Sequence, residues 1–153
     1  MAVVNAGIPI QTWVARGVDP EAFKVLDTGK KRTPGDIFHA SGYTDTNVLS
    51  SSVRKAMMLL SGLSTRHSAR NNISVHELLD FMEEHQEEFA TAMRTKSRMV
   101  GIMPTSLCVA LRFALGLIDE ERATDFFNSL ATGVGLEEGN PIYTLRERLR
   151  KLM

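Results

Sequence analysis

Residues 104–118 read PTSLCVALRFALGLI. Pro104 and Thr105 open a helix, and residues 107–118 are apolar nearly all round, Arg112 being the exception. A helix without a wide polar face is buried on most sides. This segment is therefore expected to be the central core helix, with Cys108 and Leu111 among its packed side chains.

The flanking segments supply the layers around it. Residues 119–130 are amphipathic through Ala123, Phe126, Phe127 and Leu130, and a Gly-rich connector follows at 132–139. Asn140 and Pro141 then cap a last helix with Ile142, Leu145, Leu149 and Leu152 on one face. Toward the N-terminus, Ser74 and Glu77 form a capping box ahead of Leu78, Leu79, Phe81 and Met82. That helix is expected to continue, bent near His85, to Met93. Asp45 or Thr46 caps a helix over 46–63, with Val48, Leu49, Val53, Ala56, Met57, Leu60 and Leu63 at helical spacing. Asp19-Pro20 and Thr33-Pro34 open two shorter helices.

Only the N-terminus reads differently. Ile8, Ile10, Thr12 and Val14 alternate with Pro9, Gln11 and Trp13, the pattern of a strand. A lone strand has unpaired backbone donors and acceptors. Either it pairs with a second copy and makes a homodimer, or it is what remains of a longer relative. The expected fold is mainly α, a helical bundle-like body with one short N-terminal β-strand. The expected division is an N-terminal strand and short helix at 1–33 and a helical domain at 34–153.

Composition bounds the function. Of 153 residues 43% are hydrophobic, enough for a real core. Eighteen basic and eighteen acidic residues cancel, so the molecule as a whole exerts no pull on nucleic acid or membrane. The single cysteine excludes an internal disulfide and fits a cytoplasmic setting. The opening MAVVNAGIPI lacks a basic segment and places Pro9 where a signal helix would run. No apolar run approaches the roughly 20 residues of a membrane span. A cytoplasmic protein without a membrane partner is expected.

No catalytic or metal constellation emerges. His39, His67, His76 and His85 do not pair at ligand spacing, and His85 within EEHQEE reads as a solvated helix face. Cys108 lies between Leu107 and Val109, as a core cysteine does. Ser50, Ser51 and Ser52 lack the elbow of a nucleophilic serine and read as small packing residues. The glycines at 133, 135 and 139 lack a following lysine, and Glu137 and Glu138 would repel phosphate. The expectation is a protein with no cofactor, no metal and no enzymatic activity.

Charge is distributed unevenly. Residues 16–72 hold nine basic against five acidic side chains, a net +4, whereas 77–90 hold six acids and no lysine or arginine. A basic face of that size can hold phosphates. The candidate nucleic-acid contacts are Lys30, Lys31, Arg32, Arg54, Lys55, Arg66 and Arg70. The acidic helix, through Glu83, Glu84, Glu87 and Glu88, is a candidate protein-docking face. The two helical segments 34–41 and 46–60 have the length of a helix-turn-helix, with Asn47, Ser50, Ser51 and Arg54 offered by the second.

The run GIPIQTWVARGVDPEAFKVLDTGKKRTPGDIFHASG at 7–42 resembles the ParB-like family of phages, plasmids and bacterial chromosomes. Gly7, Pro9, Arg16, Gly17, Pro20, Glu21, Asp27, Gly29, Arg32 and Thr33 carry the match. The tail DEERATDFFNSLATGVGLEEGNPIYTLRERL at 119–149 is also similar to that of such proteins. In the family a DGQHR-type box, associated with nucleotide or nuclease chemistry, precedes the first run. It has no counterpart here, so no family active-site residue carries over. The resemblance implies a non-enzymatic, DNA-associated module acting through a basic face. The alternative is a mobile-element inhibitor or adaptor, for example an anti-CRISPR, that docks on a host nuclease or CRISPR-Cas complex.

Overall fold

A computed structural model describes residues 16–17, 32–62 and 73–152. The chain divides into two compact units, Met1–Lys31 and Arg32–Met153, and the helices below all belong to the second. The expected strand at 8–14, the helix opened by Asp19-Pro20 and the loop at 64–72 lie outside the described residues. Among the described residues the protein is mainly helical: seven α-helices, one short 3-10 helix and no strand.

Helix α1 (Pro34–Ala40) begins at Thr33, whose hydroxyl accepts from the Asp36 N–H at 3.2 Å while the Asp36 carboxylate takes the Thr33 N–H at 2.9 Å. This reciprocal cap satisfies two donors that a helix start otherwise leaves bare. Helix α2 (Thr46–Leu60) starts differently. Asp45 occupies the cap position in a left-handed conformation, φ 51°, and its side chain caps nothing. Of the two expected cap residues, Asp45 and Thr46, the structure places Asp45 at the cap, but its carboxylate pairs with Lys96 instead of bonding a backbone N–H. Helix α3 (Val75–Glu84) has the expected box: Glu77 accepts from the Ser74 N–H at 2.7 Å, and the Ser74 hydroxyl accepts from the Glu77 N–H at 3.2 Å.

Helix α4 (Gln86–Arg94) follows α3 after a break at His85. The break has a packing reason. The His85 ring lies 4.7 Å from Phe81 and 5.3 Å from Phe113, so it turns inward among aromatic rings. The 3-10 helix Lys96–Met99 leads to α5 (Thr105–Gly116), then come α6 (Glu120–Thr132) and α7 (Pro141–Leu152). As its apolar circumference requires, α5 is central and touches α2, α4, α6 and the 3-10 helix.

Two cores flank α5. The first gathers Phe38, Leu49, Val53, Leu78, Leu79, Met82, Phe89, Val109 and Phe113. Phe89 and Phe113 stack in parallel with centroids 4.1 Å apart. The second holds Met99, Ile102, Met103, Cys108, Phe127 and Leu130. Leu111, expected in the core, is only partly buried, against this second cluster.

Polar joints bind the C-terminal helices. Arg112, 3% exposed, is gripped by both carboxylate oxygens of Glu120 and donates to the Thr124 hydroxyl at 2.8 Å. A Cβ on Gly116 would lie 2.7 Å from Glu120 Oε2 and 2.8 Å from Arg112 Nη1, so the absence of a side chain there makes room for the pair. Arg146 of α7 donates to the Leu130 and Ala131 carbonyls at 2.9 and 3.3 Å, closing the end of α6. The expected apolar face of α7 is only half used. Ile142 and Leu149 pack on the second core, but Leu145 and Leu152 are 38% and 81% exposed, and no α7 residue is buried. A helix lying over the rim of a core buries one narrow stripe, and the outer members of its apolar face remain in solvent.

Candidate functional site

Of the seven basic residues expected to meet phosphate, Lys30, Lys31, Arg66 and Arg70 lie outside the described residues. Arg32 is exposed just ahead of α1. Arg54 and Lys55 are half-buried on α2. The Lys55 ammonium donates to Ser106 Oγ at 2.7 Å, bridging α2 to the start of α5, and burial holds its pKa below the usual lysine value.

Helix α2 is too engaged to lie open along its length, since it packs on α1, α3 and α5. Its outer stripe is Asn47, Ser51 and Arg54. Ser50, expected among the outward contacts, is 6% exposed. It falls three residues before Val53, on the face that meets the core. Ser52 is buried too, and its hydroxyl donates to the Val48 carbonyl at 2.7 Å. A Cβ on Gly35 would come within 2.5 Å of the Asn47 amide oxygen, so Asn47 lies close against α1.

A second basic group, not among the expected contacts, forms where α4 runs into the 3-10 helix. Arg94 and Arg98 are exposed there, and Lys96 between them reaches Asp45 at the start of α2. Arg98 Nη1 donates to the Asn128 amide oxygen at 3.1 Å. Among the described residues Arg94 has no hydrogen-bond or ion-pair partner. The sequence signal was the run RTKSR at 94–98, whose three cations are not interrupted by an acid.

The acidic residues face solvent. Glu83, Glu84, Glu87 and Glu88 are all exposed, and none forms an ion pair among the described residues. Near them a cavity of about 320 Å³ opens between the start of α2 and the α3–α4 pair, lined by Tyr43, Leu49, Met82, Phe89, Met93 and Lys96. Tyr43 titrates above its ordinary value because it is partly desolvated and because Glu83 lies nearby. The cavity wall is mostly hydrocarbon, with Tyr43, Thr44, Asp45 and Lys96 among its polar members.

Cys108 is fully buried, and desolvation pushes its thiol up to about 11 against the opposing charge of Arg112. It is protonated at neutral pH and unsuited to attack. Among the described residues no three His, Cys, Asp or Glu side chains gather as a metal site, and no helix is long and apolar enough to cross a membrane. No family model, no curated protein and no solved structure matches this chain.

Proposed function

We propose that the chain is a non-enzymatic, DNA-associated binding module of the ParB-like kind, holding phosphates through a basic face. The observation that carries this reading is the α4 corner. Arg94 and Arg98 stand exposed there with no carboxylate partner among the described residues, beside the start of α2. Cations left unneutralised by the protein are those that release counterions on meeting a polyanion. Arg32, exposed ahead of α1, and Arg54, half-buried on α2, are further cations of the same unit, and Lys30 and Lys31 precede Arg32 in sequence. The expected binding is weak, insensitive to sequence and steeply dependent on salt. Fluorescence anisotropy with a duplex bearing 5′-hydroxyl ends tests it. Replacing Lys30, Lys31 and Arg32 by Ala should lower the affinity and flatten the salt slope by about 1 for each phosphate no longer held. A wild-type protein that ignores duplex at about 50 mM salt, where charge pairing with phosphate is strong, removes the proposal.

The exposed, unpaired Glu83, Glu84, Glu87 and Glu88 favour a second reading. In it the protein is a mobile-element adaptor or inhibitor that docks this face on a basic host surface, such as a nuclease or CRISPR-Cas complex. Changing all four to Lys should abolish co-purification with such a complex while the helices remain folded.

A further inference from the structure

Beside the α4 corner lies a recess of about 170 Å³ whose polar side is cationic and hydroxylated and whose other side includes the Phe127 ring. Arg94 and Thr91 enter it from α4, Thr95 and Arg98 from the turn below, Arg112 from α5 and Asn128 from α6. We propose that this recess is a binding site for a phosphomonoester group. The proposal does not depend on duplex binding by the surrounding face.

Charge comes first. Three guanidiniums border one small space, and one of them is already neutralised: Arg112 is held on both oxygens of Glu120. Arg94 and Arg98 remain, so the recess carries about two uncompensated positive charges, matching the phosphomonoester dianion near neutral pH.

Hydrogen bonding agrees with charge. Among the described residues the Arg94 guanidinium and the Thr91 and Thr95 hydroxyls have no hydrogen-bond partner, and Arg98 uses only one of its nitrogens, on Asn128. These are the donors that a phosphoryl group's three oxygens can accept, and the planar arginine fork suits phosphate geometry. Arg112 is preorganised as the floor. Its pairing with Glu120 and Thr124 and its 3% exposure hold it in place without a ligand. Arg98 is likewise steadied by Asn128.

Size separates a terminal phosphoryl group from bulkier ligands. Drug-sized ligands occupy roughly 300–1,000 Å³. This recess is smaller and suits a single phosphoryl group with its first attached atoms. A backbone phosphodiester carries a sugar on both sides and offers only two free oxygens, so it fits the open corner better than the recess. The group can arrive as free phosphate or as a terminal phosphate on a nucleotide or a nucleic-acid end.

Titration calorimetry of the full chain with inorganic phosphate, at constant ionic strength, tests the site. Saturable binding is expected, weakened at least about tenfold, or 1.4 kcal/mol, in both Arg94→Gln and Arg98→Gln. Arg94 is exposed and unpartnered, so its replacement leaves the fold intact, and circular dichroism verifies this. Absence of saturable binding, or equal binding in wild type and both variants, overturns the proposal. Competition then identifies the source. Displacement of phosphate by an oligonucleotide with a 5′-phosphate, but not by its 5′-hydroxyl counterpart, supports the site and assigns it to a nucleic-acid end. Displacement by neither supports the site and assigns it to free phosphate. Equal displacement by both shows a diester contact and overturns the monoester site.

Discussion

The two cores either side of α5 are built on different physics. In the first, large rings and branched chains interlock: Phe81, Phe89 and Phe113 form a cluster closed by His85. In the second, methionines and a cysteine fill a smaller space, and the surrounding helices are tied by polar joints at Arg112 and Arg146. Interlocking of the phenylalanine rings themselves involves no charge. The directional joints each depend on a charge or on a carbonyl at the end of a helix. The half of the body that carries the proposed phosphate recess is thus held by the Arg112–Glu120 pair and the Arg146 donors as well as by apolar packing.

The largest effect should come from the first core. Phe113→Ala removes a fully buried ring in contact with Phe81, His85 and Phe89, at a cost of about 3–5 kcal/mol in chemical denaturation. A cost below that of the two substitutions that follow would reverse the ranking of the two regions.

Gly133→Ala attacks the joint between α6 and α7. Gly133 closes α6 at φ 70°, and a Cβ there would lie 3.2 Å from the Arg146 guanidinium carbon. The left-handed conformation alone costs a residue with a Cβ about 1–2 kcal/mol. Loss of stability in that range, with α7 loosening first in hydrogen exchange, is the expected result.

The smallest effect, and the sharpest contrast, is Glu120→Gln. The Glu120 side chain is 59% exposed although Arg112 beneath it is 4% exposed, so water screens the pair and the cost at neutral pH is about 1 kcal/mol. The hydrogen bond from Arg112 holds the Glu120 carboxyl below its ordinary 4.5. A depressed folded pKa gives stability that is present above the unfolded value and lost as pH falls through the folded one. Wild type and Glu120→Gln should therefore converge in stability as pH falls below the ordinary carboxylate range and through the depressed folded value. A constant difference down to low pH would assign the effect to packing instead.

Much of the body was legible because it is written in local signals. The Ser74–Glu77 box, the Thr33-Pro34 start, the Asn140 cap and the all-round apolarity of 107–118 each involve residues a few positions apart. The helix start at Asp45 is local and legible, whereas the partner of its carboxylate, Lys96, comes from 51 positions along the chain and is not. Leu145 and Leu152 obeyed helical spacing but had no core beneath them, since periodicity reports which residues share a face and not what that face meets. The recess was invisible for the same reason. Arg94, Arg98 and Arg112 come from three elements, and only the packing of α4 and α6 on α5 brings them to one wall.

The Arg146 contact gives the last helix a particular standing. Helix α7 contributes no buried residue, yet it supplies the donors that close the α6 carbonyls of Leu130 and Ala131. It works as a clasp: its release would bare the last turn of its neighbour and uncover the side of the second core that Ile142 and Leu149 pack against. Anything that grips α7 also stiffens α6, and with it Asn128, the residue that steadies Arg98. The last helix thus meets α6 through the Arg146 donors and through Ile142 and Leu149 on the second core, and α6 in turn supplies Asn128 to the basic corner.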